Sequence, residues 1–221
     1  MSIVRGLGPG TGTGTLQSGN LTAGYYGKVT GIITGADLFA ATGTSEESGS
    51  GGTGAGISTP VSPDPTKGIS GDITWLKFAS NNKTIFVADR CLKYYVSWDY
   101  LQKNGLVFGK PIEIGGVKYL CRLMQGCNVN PAPNFYGSIP YTGVGTAIPG
   151  INNEWDNLII PYTPLEADSH WTNVYSWMQE VHSYDLTYRV LRGYFSVSDF
   201  ISNTSSSVIS NRGWRPVLEV L

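Results

Sequence analysis

From residue 71 onward the chain alternates between apolar and polar positions. In "ITWLKFASNNKTIFVADR", Ile73, Trp75 and Phe78 precede "SNNK", and Ile85 and Val87 follow it. Asn tolerates positive φ, so the two runs predict a β-hairpin turning at Asn81 and Asn82. "YYVSWDYLQKNG" predicts a short strand over Tyr94–Ser97 and a helical turn over Trp98–Lys103, with Gly105 in the left-handed position that closes it. "KPIEIGGVKYLCRLM" predicts a second hairpin, turning at Gly115 and Gly116. "NNEWDNLIIPY" opens like a helix: Asn152 or Asn153 caps it, Glu154 and Asp156 favour its N-terminus, and Pro161 stops it. "HWTNVYSWMQEVHSYD" fits a loop or a helix, "LTYRVLRGYFSV" a strand over Tyr188–Leu191, and "ISNTSSSVISNRG" a polar loop. The closing "WRPVLEV" sets Trp214, Pro216, Leu218 and Val220 against Arg215, Val217 and Glu219. Chain ends fray unless tied down, so this run reads as a strand anchored in the core, with Pro216 confining it to an edge or a ladder gap.

The period fails toward the N-terminus. Sixteen of the 29 glycines fall within residues 1–60, so "GPGTGTGTLQSGN" and "TGTSEESGSGGTGAG" are low-complexity tracts. Such composition buries too little apolar surface to offset its own ordering entropy. Between the tracts lies an apolar island with Tyr25, Tyr26, Ile32, Ile33, Leu38 and Phe39. It is too small to be a domain. It reads as a docking segment that orders against a partner or a sister subunit, the alternative being a satellite packed on the chain's own C-terminal domain. "ISTPVSPDPTKGIS" reads as a Pro-rich linker. The expected organisation is an attachment segment and linker over residues 1–70 and a globular, β-rich domain over 71–221. Within that domain residues 126–152 hold four prolines and five glycines without a period, a length that in compact domains is usually functional or disordered.

Composition narrows the function classes. Apolar residues make up 41% of the 221, enough for a sizeable core, whereas charged residues make up 14%, against about 25% in ordinary soluble domains. A Gly-, Ser-, Thr-, Asn- and Tyr-rich surface of low charge suits a protein docked against others. The net charge of −1 and pI near 6.1 give no basic footprint for nucleic acid. No apolar run approaches the roughly 20 residues of a membrane span, and "MSIVRGLGPGTG" has no apolar leader core, so synthesis in a cytoplasm is expected. Cys91, Cys121 and Cys127 are odd in number and lack metal-knuckle spacing, which points to structural thiols.

Neither His170 nor His182 belongs to a zinc-type motif, and the nucleophile-elbow and phosphate-loop patterns are absent from the sequence. Glu154, Asp156, Glu166, Asp168 and Glu180 include enough carboxylates for a glycosidase pair, but 16 acidic residues make such a pair expected by chance. The expectation is a non-enzymatic protein with no cofactor and no metal.

The series "WLKFASNNKTIFVADR", "VSWDYLQKNGLVFGKPIEIGGVKYLCRLMQG", "NEWDNLI", "YRVLRG" and "GWRPVLEVL", preceded by "GYYG" at residues 24–27, resembles a family of virion structural proteins of tailed bacteriophages. "EWD", "RVLRG" and "GWRPVLE" are also similar to blocks of the C-type-lectin-like and formylglycine-generating-enzyme-like folds. The resemblance implies an α+β, β-rich, lectin-like domain whose first and last strands pair and whose long loops display a binding surface. It implies structural roles for Trp155, Arg192, Trp214 and Arg215, the arginines being buried and paired with Glu154, Asp156 or Glu219. The cysteine pairs and calcium triplets of those folds have no counterpart here.

The expected function is a virion structural protein, a capsid- or tail-associated decoration or fibre component, docked through the 25–39 island to other virion proteins. Symmetric self-association is expected, a trimer being the common phage arrangement. The second reading is a tail-fibre module that binds host surface glycans through aromatic loops carrying Phe135, Tyr136, Tyr141, Trp171, Tyr175, Tyr194 and Phe195.

Overall fold

The structure, a computed structural model, describes residues 24–44, 72–127, 153–162, 171, 174–181, 185–209 and 211–221. Along the chain come β1 (Gly24–Val29), α1 (Gly35–Thr42), β2 (Trp75–Ser80), β3 (Lys83–Ala88), β4 (Lys93–Tyr94), α2 (Trp98–Lys103), β5 (Lys110–Ile114) and β6 (Val117–Arg122). A π-helical turn (Trp155–Ile159) follows, then β7 (Tyr175–Val181), β8 (Tyr188–Gly193), β9 (Phe200–Thr204), β10 (Arg212–Trp214) and β11 (Val217–Val220). The fold is β-rich α+β with two sheets. One is antiparallel throughout, in the order β1-β2-β3-β11-β6-β5; the other runs β4-β10-β7-β8-β9, with β10 and β7 parallel.

Both hairpins form at the expected residues. Ser80 pairs with Lys83 across Asn81 and Asn82, whose φ of 50° and 60° meet the demand of a two-residue turn; Ile114 pairs with Val117 across Gly115 and Gly116. Helix α2 spans its predicted residues, with Ser97 Oγ accepting from the Tyr100 N–H and Gly105 at φ 76°. The strand expected over Tyr94–Ser97 shrinks to the two residues of β4. Tyr95 takes φ 49°, and the chain turns into α2.

The island at 24–44 corrects the expected boundary at residue 70. β1 pairs with β2, so the described globular unit begins at Gly24. A capping box starts α1: the Asp37 N–H donates to Thr34 Oγ1 at 3.1 Å and the Thr34 N–H to Asp37 Oδ2 at 3.3 Å, and Gly43 closes the helix at φ 68°. The helix turns Leu38 and Phe39 inward, Phe39 lying 6.1 Å from Trp214, while Ile33 is buried just ahead of it. Tyr25 packs on Phe78 and Tyr162. Ile33, Leu38 and Phe39 are thus internal packing groups with no face left for a partner. Ile32 packs half-buried against the same cluster, and Tyr26 is half-buried on β1.

Core lies on both faces of the six-stranded sheet. Trp75, Phe86, Cys121 and Leu218 point to one cluster, covered by α1 and α2; Leu76, Phe78, Ile85, Val87 and Val217 point to a second, covered by the π-helical turn. Strands buried on both sides read as near-continuous apolar runs, which is why "TIFVA" and "PVLEV" show little contrast. β11 lies in the middle of its sheet, between β3 and β6. The pairing with the first strand is therefore corrected, and of the edge and the ladder gap open to Pro216 the gap is the one taken. Pro216 occupies the gap between β10 and β11, where its carbonyl accepts from the Ala88 N–H at 3.1 Å. Trp214 and Leu218 are fully buried.

Other expectations change. Residues 155–159 form a π-helical turn, marked by the Ile160 N–H donating to the Trp155 carbonyl at 3.2 Å. The ambiguous aromatic stretch contains β7, and the polar loop contains β9, an edge strand whose one neighbour is β8.

Candidate functional site

Where residues 128–152 leave and rejoin the described chain, buried charges hold the two ends together. β6 ends at Arg122, whose side chain turns into the second core face. Its guanidinium meets both Glu154 oxygens, at 2.7 and 2.5 Å, and Glu219 at 3.2 Å; Lys83 closes on the other Glu219 oxygen. Burial opposes the Arg122 charge, but Glu154 and Glu219 outweigh it and hold its pKa above the ordinary arginine value. Glu154 also accepts from the Gln125 N–H at 3.1 Å, while the Trp155 N–H donates to the Gln125 carbonyl at 3.0 Å. Asn153 caps the turn, its Oδ1 accepting from the Asp156 N–H.

Arg192 on β8 makes the second bridge. It donates to the Gly126 carbonyl at 3.1 Å and to Asp156 Oδ1 at 2.5 Å, with its guanidinium over Trp155 and Phe200. Burial lowers its pKa, and Asp156 works against that shift. A bulge in β7 between Trp177 and Val181 supplies the third bridge by aiming Glu180 at the same junction. The Gly126 N–H donates to Glu180 Oε2 at 3.1 Å. Burial pushes the Glu180 carboxyl up to about 7, against the pull of the Gly126 and Cys127 amides and with a push from Glu154.

Beside this clamp stands an aromatic knuckle. β8 ends at Gly193 (φ 89°) and Tyr194 (φ 101°), two successive residues in a conformation that L side chains rarely adopt. A Cβ at position 193 would meet the Trp171 carbonyl oxygen at 2.8 Å, so only glycine fits. Tyr194 has no such excuse, and its backbone strain is of order 1–3 kcal/mol. The fold holds it there. The Tyr194 N–H donates to the Trp171 carbonyl at 3.1 Å, and its ring stacks on Tyr175 with centroids 4.7 Å apart and planes at 12°. Asp199 is buried and accepts from the Phe195 N–H (2.7 Å), the Ser196 N–H (3.1 Å) and the Ser196 hydroxyl (2.9 Å). The Phe195 ring then stands edge-to-face on Tyr194, 65% exposed. Trp155 Nε1 donates to the Val197 carbonyl at 2.8 Å, joining knuckle and clamp into one face.

The aromatic residues expected to bind a ligand therefore divide. Phe195 is exposed and Tyr194 half-buried on the knuckle. Tyr175 and Trp171 are buried supports, Trp171 lying edge-on to Trp155 at 5.2 Å and under the Arg215 guanidinium at 4.0 Å. Phe135, Tyr136 and Tyr141 lie outside the described residues, as do His170, His182, Glu166 and Asp168. Trp155 and Trp214 are fully buried. Arg192 takes Asp156, one of the partners expected for it. Arg215 differs: its Nε donates to Ser176 Oγ and its Nη1 to the Ala88 carbonyl, both at 3.0 Å, while Glu219 serves Arg122 and Lys83. Arg122 escaped sequence reasoning, and Glu180, counted there only among the carboxylates of a chance pair, was not placed at this junction. The signal for Arg122 was an arginine inside the apolar run "KYLCRLM"; the inward placement of Glu180 carried none, because the bulge in β7 has no sequence mark.

The three thiols are buried and none is in a disulfide. Cys91 lies 3.4 Å from Ser176 Oγ, and burial pushes Cys121 up to about 12. Among the described residues no His, Cys, Asp and Glu side chains group as a metal site, and no helix is long and apolar enough to cross a membrane. No family model, curated protein or solved structure matches the chain.

Proposed function

We propose that the chain is a structural component of a tailed-bacteriophage particle, on capsid or tail, that holds out a pre-shaped binding face. The carrying observation is the knuckle: a strained Tyr194 and a buried Asp199 keep the Phe195 ring in solvent. The buried ionic clamp stiffens the base of that face, and rigid support beneath a contact residue lowers the entropy cost of binding. The lectin-like reading of the domain rests on the junction that gathers both ends of residues 128–152, where a long displayed loop is expected. Because the 24–44 island packs in the chain's own core, attachment to other virion proteins is assigned to residues 1–23.

The test is to locate the chain on gradient-purified particles by mass spectrometry and immunogold microscopy. Stoichiometric copies at a fixed position support the proposal. A chain found only in the free fraction of the lysate refutes it. The exposed Phe195 ring favours the second reading, contact with host surface glycans, since an aromatic face stacks on a sugar ring. Under that reading Phe195→Ala abolishes binding of the full chain to host cells while its thermal unfolding is unchanged. Equal binding by both proteins rejects it.

A further inference from the structure

The other end of β8 carries a second surface. Only five large hydrophobic side chains are exposed among the described residues, and two of them belong here: Phe108 (52%), beside Trp98, and Leu186 (67%), whose carbonyl holds Arg189. Phe108 stands edge-on to Trp98 at 6.3 Å, and the Arg189 guanidinium lies over the Trp98 ring at 4.2 Å. One nitrogen of that guanidinium, Nη1, donates to the Leu186 carbonyl at 2.6 Å and the Tyr188 carbonyl at 3.0 Å, which fixes its plane. Its Nε is buried with no hydrogen-bond partner among the described residues. Asp99, exposed in the first turn of α2, is held by the Ser205 hydroxyl at 3.1 Å. Burial lowers the pKa of Arg189 and the Asp99 charge counters that, yet the two do not close to an ion pair.

The patch therefore holds a cation, an anion and two apolar side chains, all side by side and none saturated within the chain. That is the composition of a self-complementary surface, in which each residue meets a different residue of an identical copy across a two-fold axis. We propose that this end of the domain binds a second copy of the chain, Arg189 of each copy pairing with Asp99 of the other around a centre formed by Phe108 and Leu186. Aromatic and arginine anchors of this kind dominate interface energies. Tyr194 lies five steps along the chain from Arg189, just past the end of β8, roughly 16 Å at strand rise, so pairing here leaves the Phe195 face free in both copies. The inference holds whether or not the chain belongs to a virus particle.

Charge reversal tests it. The full chain at about 100 µM is expected to sediment as a dimer, and Asp99→Arg or Arg189→Asp alone to weaken self-association about tenfold or more. A mixture of the two variants restores a heterodimer, because both ion pairs then form with reversed polarity across one of the two contacts. Should Arg189→Asp fail to fold, Leu186→Ser beside Asp99→Arg carries the test, each expected to favour the monomer. A wild-type monomer at that concentration, a trimer, or single variants that dimerise like the wild type would overturn the proposal.

Discussion

Replacing Glu180 by Gln isolates one buried carboxyl. Glu180 is 4% exposed and hangs the chain at Gly126 on its Oε2. A Gln side chain has nearly the same shape and keeps a carbonyl for that N–H, so the change removes the titrating group and little else. Burial raises the folded-state pKa from 4.5 to about 7. The folded chain thus holds this proton more tightly than the unfolded chain does. Stability falls as pH rises through the interval from 4.5 to 7 and levels off above it. At 1.36 kcal/mol per unit the interval amounts to about 3 kcal/mol. Urea unfolding of both proteins between pH 4 and 9 reads this directly. The variant is expected to gain about 3 kcal/mol on the wild type between the acid and alkaline limits, with unchanged slopes in denaturant. Parallel pH profiles would show that the junction admits water and would refute the argument from burial.

Three further outcomes follow from the packing. Leu38→Ala removes a fully buried side chain of the island and is expected to lower stability by about 2–5 kcal/mol in urea unfolding; a loss under about 1 kcal/mol would mean that α1 is a loose satellite. Arg122→Met takes the guanidinium from the part-buried Glu154, leaves Glu219 with Lys83 alone, and is expected to cost about 3–5 kcal/mol at neutral pH in urea unfolding. Gly193→Ala drives a methyl group against the Trp171 carbonyl at a positive φ, and a fall in melting temperature of several degrees, about 4 or more, is expected by calorimetry.

The hairpins and α2 were legible because their signals are local: Asn-Asn and Gly-Gly at the turns, Ser97 before the helix and Gly105 after it. β9 was not legible, since an edge strand faces water on one side and its Ser, Asn and Thr look like loop residues. The π-helical turn kept the marks of an ordinary helix start, Asn153 and Asp156, and only its hydrogen-bond spacing differs. The island's fate was out of reach. Ile33, Leu38 and Phe39 are apolar enough to dock anywhere, and the decision for Trp214 and Lys93 is made by contacts far away in sequence. At the candidate site, Phe195 and Tyr194 were legible as aromatic loop residues. The buried roles of Tyr175 and Trp171 depend on strand register, which residue type does not disclose.

The place of β11 sets a timetable for the newborn chain. Residues 217–220 are the last described strand to leave the ribosome, yet they fill the slot between β3 and β6. Until then the sheet exists as two halves, each with an open edge of unpaired amides where its neighbour belongs. Such edges are templates for aggregation, and contacts between residues so distant in sequence form slowly. The hairpins must therefore wait, assembled but unjoined, and the nascent molecule is most exposed to mispairing just before synthesis reaches that strand.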